Sequence, residues 1–158
     1  MRTIATIGAY GWNRERFIEA LTRRDVSLVV DVRQRRGVRG AEYAWANSIR
    51  LQAALAAARI SYQHRPEMAP TTELRHLQYA EDERLGVGKR KRLELAAEYR
   101  RRYLAEILDR VDLEAFVMGL PQDSPAALLC VERYAQACHR SLIAARLEER
   151  HGVKVIYI

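Results

Sequence analysis

The chain has 158 residues, of which 49% are hydrophobic and 30% are charged. This balance excludes a disordered chain and predicts a single folded domain over residues 1–158. No apolar run approaches the ~20 residues that a membrane-spanning helix requires, and the first residues do not resemble a signal peptide. We therefore expect a cytoplasmic protein with no membrane partner. The net charge of +7 favours an anionic partner, either a small molecule or nucleic acid, although the strong preference for Arg over Lys is equally typical of a genome-wide habit of composition.

Strand-like and helix-like segments alternate along the chain, as judged from short β-branched runs and from apolar residues at helical spacing. The segments that predict strands are residues 3–8, 27–33, 60–65, 126–132 and 153–158. One predicted helix follows an N-cap at Asn13, and another starts at Thr72. The other segments that predict helices are residues 48–59, 86–110, 113–120 and 135–152.

This alternation predicts an α/β fold with a mostly parallel sheet of about five strands, flanked by helices. Residues 66–120 are a predicted helical insertion within one crossover. In such sheets ligands bind at the carboxyl ends of the strands, beside the helix N-termini. Three stretches of the sequence are expected to meet at that edge.

The first stretch is the loop Gly8-Ala9-Tyr10-Gly11, which follows the first strand. Two glycines allow backbone amides to approach a ligand closely, and the N-terminus of the following helix favours an anion. Gly8, Tyr10 and Gly11 are therefore predicted anion-binding residues. A simple tight turn is the alternative interpretation.

The second stretch is Asp31-Val32-Arg33, at the end of the second strand. A carboxylate among Leu28, Val29 and Val30 should be desolvated, so it requires a cation or several donors. Arg33 lies on the same face as Asp31 because side chains alternate along a strand, and Arg140 is a second possible partner. These residues form either a buried ion pair or a site in which Asp31 is catalytic and Arg33 and Arg140 bind the anion.

The third stretch is LLCVERYAQACHR, residues 128–140. In its helix, Ile143 and Leu147 predict a buried stripe. His139 lies one turn before Ile143 and Arg140 two turns before Leu147, so both should point inwards, toward Asp31 and the other polar strand ends. His139 and Glu132 are accordingly predicted acid–base groups.

Two cysteines belong to the same stretch. Cys130 lies in a strand, where a free Cys is usually a small hydrophobic residue, with catalysis as the alternative. Cys138 lies near a helix N-terminus beside His139 and Arg140, which favours a thiolate and makes it the better candidate nucleophile; simple packing is again the alternative. A disulfide or redox pair between the two cysteines is geometrically possible, but a structural disulfide is not expected in a reducing compartment. The spacing of the two Cys and the His matches no common zinc module, so we predict no metal and no cofactor.

Several segments resemble one family along nearly the whole chain. They are TIG (6–8), Phe17, VDVR (30–33), YQHRPEMAPTTELR (62–75), AFVMGL (115–120), CVERYAQACHR (130–140) and GVKVIYI (152–158). The chain is thereby identified as resembling the domain-of-unknown-function 488 family, with Cys-x-Glu-x5-Cys-His-Arg as its most specific motif. The resemblance implies the fold and the location of a site, and it implies no reaction. Many relatives resemble Leu-Gly-Gly where this chain has Glu67-Met68-Ala69.

Three functional hypotheses remain open. The first is an enzyme-like pocket for a phosphate-bearing ligand, a nucleotide or a nucleic-acid end. The second is a non-catalytic nucleic-acid-binding or regulatory module that uses the basic residues 88–92 and 99–103. The third is a polar network that only holds the last helix on the sheet.

Overall fold

The computed structural model describes all residues, Met1–Ile158. Five strands, all parallel, form one sheet. In chain order they are β1 (Thr3–Gly8), β2 (Leu28–Asp31), β3 (Ser61–His64), β4 (Ala126–Cys130) and β5 (Lys154–Tyr157). Their spatial order is β3-β2-β4-β1-β5. The prediction of a parallel α/β sheet of about five strands is confirmed.

Six α-helices accompany the sheet: α1 (Arg14–Thr22), α2 (Ser48–Ala57), α3 (Thr72–Arg84), α4 (Ala97–Glu106), α5 (Leu113–Met118) and α6 (Arg140–His151). Local capping explains several of their starts. The Asn13 side chain accepts a hydrogen bond from the Arg16 amide at 2.8 Å, and Thr71 accepts one from Leu74 at 3.2 Å. Gly152 ends α6 in the left-handed conformation, at φ 62°, which glycine adopts without strain.

Each face of the sheet carries its own apolar core. On one face α1 and α2 pack through Phe17, Leu21, Leu51 and Leu55 against alternate residues of the strands, such as Val29. On the other face the helices of the insertion and α6 pack against the intervening strand residues, among them Val30, Leu128 and Cys130. Because both faces are covered, the central strands are buried almost throughout and mostly apolar, as expected for a parallel sheet.

The connections that leave the neighbouring strands β1 and β4 run toward opposite edges of the sheet. The connection from β1 leads through α1 to β2, beyond β4, whereas the connection from β4 leads through α6 to β5, beyond β1. The loops after β1 and β4 stay together past the strand ends, since the Ala9 amide donates to the Cys130 carbonyl at 3.0 Å and the Tyr10 amide to Val131 at 2.9 Å. Such a switch point is where open α/β sheets bind ligands.

Two predicted helices differ from those observed. Residues 86–110 do not form one helix: Gly86 adopts φ 68°, a short 3-10 turn covers Lys89–Lys91, and α4 begins only at Ala97. The chain is turned here because the buried Arg92 reaches back to Asp82 in α3. Residues 135–152 are also divided, because Cys138 has an extended backbone between a 3-10 turn and α6. No helix of the protein combines the length and the apolar composition that crossing a bilayer requires.

Candidate functional site

A cavity of about 500 Å³ opens at the carboxyl edge of the sheet. Its walls come from the loops after β1, β2 and β4, and from the insertion, which folds over the strand ends. Six basic residues line it, and Glu132 is the single carboxylate among the lining residues. The basic residues are Arg33, Arg35, Arg39, Arg75, Lys89 and Arg92.

The structure brings together about half of the residues that the sequence predicts for the site. Those that line the cavity are Tyr10, Arg33, Cys130, Glu132, Cys138 and His139. Those that lie outside its wall are Gly8, Gly11, Asp31 and Arg140. Their functional roles stay predictions, while their positions are described below.

Asp31 and Arg33 form a buried ion pair. Arg33 donates to the Asp31 carboxylate through Nε at 2.9 Å and through Nη2 at 2.7 Å, and its Nη1 donates to the Ala46 carbonyl at 2.8 Å. The Tyr62 hydroxyl donates to the same carboxylate at 2.6 Å. Arg33 therefore contributes a charge to the cavity that Asp31 largely neutralises.

Arg140 is not a partner of Asp31, contrary to the pairing that the sequence suggested. Its guanidinium donates to the carbonyls of Glu132 at 2.7 Å and Arg133 at 3.2 Å. Strand alternation explains this outcome: Asp31 is level with Leu129, so it points to the α2 face, whereas Cys130 packs on the α6 face. The inward orientation predicted for His139 and Arg140 is observed, since both side chains are buried.

Gly8 allows the loops after β1 and β4 to approach each other. A Cβ at this position would lie 1.7 Å from the Glu132 carbonyl oxygen and 3.2 Å from Nη2 of Arg140. No other residue type fits, because real Cβ atoms never approach so closely. The amides that follow are also engaged within the protein: that of Gly11 donates to the Tyr43 hydroxyl at 2.9 Å. The loop therefore presents the Tyr10 side chain to the cavity, and its amides are not free donors.

Two thiols and an imidazole form the inner end of the cavity. His139 Nδ1 lies 3.6 Å from Cys138 Sγ and 4.0 Å from Cys130 Sγ. His139 Nε2 lies 2.8 Å from the Val32 carbonyl oxygen. A carbonyl only accepts, so in the neutral imidazole Nε2 carries the proton and Nδ1 directs its lone pair at the two sulfurs. Both cysteines are free and buried.

Glu132 stands between this cluster and two cations. Its Oε2 accepts from Cys130 Sγ at 3.2 Å, while its Oε1 lies 3.5 Å from Arg92 Nη1 and 3.8 Å from Lys89 Nζ. Burial opposes ionisation, but the charges of Lys89 and Arg92 outweigh it and lower the pKa of Glu132 to about 2. The carboxylate is therefore ionised at neutral pH.

The surroundings favour the protonated forms of both the Cys130 thiol and the His139 imidazole. A hydrogen bond with Cys138, burial and the charge of Glu132 raise the pKa of Cys130 well above that of an ordinary thiol. Burial opposes protonation of His139, but Cys130, Glu132 and the Val32 carbonyl favour it and raise the pKa of His139. Cys130 is accordingly a protonated thiol at neutral pH, which donates its hydrogen to Glu132.

Three arginines of the cavity have no carboxylate partner, namely Arg35, Arg39 and Arg75. Arg75 is held in position by neutral groups, because it donates to Gln34 Oε1 at 2.7 Å and to the Tyr79 hydroxyl at 2.9 Å. Its charge is therefore oriented but not neutralised. Arg35 and Arg39 are exposed at the mouth.

The basic run at residues 88–92 is largely engaged within the protein. Arg92 is buried against Asp82, and Lys89 faces Glu132. Arg90 lies over the rings of Tyr10 and Tyr43, at 5.2 and 5.1 Å from their centroids, and pairs with Glu42 at 3.1 Å. Arg75 and Arg92 line the cavity although neither is among the site residues predicted from the sequence. In the sequence, Arg75 is marked only as part of a segment that resembles the family, and Arg92 only as part of a basic run. The long-range contacts that direct both side chains inward cannot be recognised from neighbouring residues.

The fold and the site together define a class: an open parallel α/β sheet, covered on both faces, with its buried polar and thiol residues gathered at the carboxyl edge. The family model described as Domain of unknown function DUF488 matches residues 13–147. The chain belongs to this family. No curated protein and no solved structure matches it. Glu67-Met68-Ala69, where the sequence resemblance predicts a departure from the family, lies outside the cavity wall.

Proposed function

We propose that the protein binds a phosphate-bearing ligand, such as a nucleotide or a nucleic-acid end, in the cavity at the carboxyl edge of the sheet. The observation that carries the proposal is the lining itself, with six basic side chains against one carboxylate. We place this function in the cytoplasm, where a reducing environment keeps thiols such as Cys130 and Cys138 free.

The charges of the lining support an anion even after internal pairing is considered. Asp31, Asp82 and Glu132 balance Arg33, Arg92 and Lys89, respectively. The other three basic residues keep their full charge. In a concave site with low-dielectric walls, such a surplus focuses the positive potential on the cavity. Planar guanidinium groups bind phosphate through paired hydrogen bonds, so Arg75 is the residue to which we assign the main contact.

The inner end of the cavity supplies acid–base groups to a ligand whose phosphate lies among the arginines. His139 Nδ1 is an acceptor within reach of Cys138 Sγ, at 3.6 Å, and so is the group positioned to take up a proton there. Glu132 is ionised and holds Lys89 and Arg92 beside the cluster. Chemistry on the ligand, in this proposal, takes place next to His139, and Cys138 is its candidate nucleophile.

Titration calorimetry with pyrophosphate and with a nucleoside 5′-triphosphate tests the binding step. Replacing Arg75 with Ala should weaken pyrophosphate binding at least about tenfold, because a hydrogen bond to a charged group contributes about 1.5–3 kcal/mol. Arg84→Ala is the matched control: it removes the same charge from the same helix, but from an exposed pair with Glu81. If Arg75→Ala and Arg84→Ala bind pyrophosphate equally well, the cavity is not the anion site.

A single-stranded oligonucleotide is the third ligand in the same series. Binding of the oligonucleotide with a steep salt dependence, combined with no binding of pyrophosphate or triphosphate, would favour the non-catalytic nucleic-acid-binding module. Competition of triphosphate with the oligonucleotide would instead favour a pocket that takes a nucleic-acid end.

A further inference from the structure

We propose that Cys130, Cys138 and His139 bind a Zn²⁺ ion at the inner end of the cavity. The two sulfur atoms and the imidazole nitrogen all lie within 4.8 Å of one another. The three residues come from the end of β4 and from the two positions that precede α6. This inference concerns a metal site and does not depend on the binding of an anion. In the zinc-bound protein Cys138 and His139 are ligands, so the nucleophile and proton-acceptor roles proposed above belong to the metal-free protein.

The distances match those of a tetrahedral zinc site. Bonds of about 2.3 Å to sulfur and about 2.0 Å to nitrogen place these ligand atoms about 3.5 Å apart at the tetrahedral angle. The observed separations from His139 Nδ1 are 3.6 Å for Cys138 Sγ and 4.0 Å for Cys130 Sγ. The two sulfurs lie within 4.8 Å of each other, and two Zn–S bonds at the tetrahedral angle require about 3.8 Å. Side-chain rotations that move the sulfurs by up to about 1 Å are therefore enough to close the site.

The imidazole is already oriented for coordination through Nδ1. Nε2 donates to the Val32 carbonyl at 2.8 Å, which leaves the lone pair on the nitrogen that faces the sulfurs. Metal-binding histidines are usually oriented in this way, by a hydrogen bond from the ring nitrogen that does not bind the metal. Packing against the Tyr103 ring, with centroids 5.4 Å apart, restrains the imidazole further.

The local backbone explains how two adjacent residues serve as ligands to one ion. Neighbouring side chains of a regular helix point about 100° apart. Here Cys138 has an extended backbone, at φ −141° and ψ 147°, and His139 a helical one, at φ −58° and ψ −21°. The change of conformation at the start of α6 directs both side chains to Cys130. The spacing of the three residues in the sequence did not indicate a zinc module, because it contains no sign of this change in backbone conformation.

The charges around the cluster suit a cation bound by thiolates. When zinc binds, each thiol loses its proton to the solvent as its Zn–S bond forms, and His139 coordinates with Nε2 still protonated. Two thiolates neutralise the ion, and Lys89 balances the adjacent Glu132. Thiolate and imidazole ligands select zinc over magnesium or calcium. Three protein ligands leave one position for water or for an anion from the cavity, the arrangement of catalytic rather than structural zinc sites.

Cobalt titration of the reduced, metal-stripped full-length protein tests the site. We expect one Co²⁺ per chain, with thiolate-to-cobalt charge-transfer bands, the visible spectrum of a tetrahedral ion, and displacement of cobalt by Zn²⁺. Cys130→Ser, Cys138→Ser and His139→Gln should each weaken Zn²⁺ binding, measured against a chromogenic chelator, by more than the about 10- to 100-fold that loss of an outer partner costs. His151→Gln, in the last turn of α6, is the control.

A wild-type protein that shows no charge-transfer band, or that does not compete with the chelator for Zn²⁺, overturns the proposal, and this result requires no variant to fold. Equal Zn²⁺ affinity in Cys138→Ser and His151→Gln also overturns it. Pyrophosphate binding to the metal-free protein is measured separately and should depend on Arg75. Loss of the zinc proposal therefore leaves the anion proposal standing, and the reverse also holds.

Discussion

Replacement of Asp31 with Asn removes the charge from a fully buried carboxylate. This carboxylate accepts four hydrogen bonds, from the Arg33 amide at 3.1 Å, Nε at 2.9 Å and Nη2 at 2.7 Å, and from the Tyr62 hydroxyl at 2.6 Å. Asn offers one oxygen, and its NH2 group would face the donors Nη2 and Tyr62. The variant leaves a buried guanidinium without its counter-ion.

Breaking a buried ion pair from one side costs about 3–5 kcal/mol. The same range is expected here, because Arg33 is itself only 2% exposed and cannot turn to solvent without leaving its place under the Ala46 carbonyl. At ~2–4 °C per kcal/mol for a domain of this size, the melting temperature should fall by roughly 6–20 °C.

Urea unfolding, followed by far-ultraviolet circular dichroism, measures the effect. Glu81→Gln is the control, because it breaks an exposed pair with Arg84, and such pairs contribute little to stability. The double variant Asp31→Leu/Arg33→Met should recover part of the loss, since an apolar pair leaves no buried charge. If Asp31→Asn unfolds at the same urea concentration as Glu81→Gln with an unchanged slope, the reasoning about this ion pair is wrong.

Three further predictions concern the contacts around Glu132. The pKa of Glu132 is lowered to about 2 from about 4.3 in an unfolded chain. Its ionised form therefore contributes fully to stability above pH ~4.3, and this contribution is lost as the pH falls toward 2. Urea unfolding at a series of acidic pH values should show that the stability of Glu132→Gln changes less with pH than that of the wild-type protein. Gly8→Ala should lower the free energy of unfolding by at least about 3 kcal/mol in the same assay, because the new methyl group collides with the Glu132 carbonyl. Gly88→Ala is the control and should be tolerated, because no atom lies within 4 Å of its Cβ. Arg140→Leu should cost about 1–3 kcal/mol for each carbonyl left without its donor, measured by thermal unfolding against Arg150→Leu at the end of the same helix.

Much of the fold is local in origin and follows from the sequence. The runs at residues 28–30 and 126–130 form strands because each is apolar on both faces. The Asp31–Arg33 pair follows equally, because residues two apart on a strand share a face. Each of these inferences needs only neighbouring residues.

The composition of the site required the tertiary structure. Arg92 turns inward only because Asp82, ten residues earlier in α3, lies beneath it, and this contact replaces the single helix that the periodicity of residues 86–110 predicted. Arg75 enters the cavity because the insertion folds across the strand ends. The sequence shows that these basic residues are present, but it does not show where their side chains point.

The sequence by itself determined that this protein is a parallel α/β domain with its polar residues at the strand ends, because strand alternation and helix periodicity are short-range properties. It also determined that the side chain of His139, one turn before Ile143, points inward. Only the tertiary structure decided which groups meet there. The strand register places Cys130 and Asp31 on opposite faces of the sheet. The extended backbone at Cys138 brings its sulfur close to His139. These are long-range consequences of packing, which no local pattern encodes.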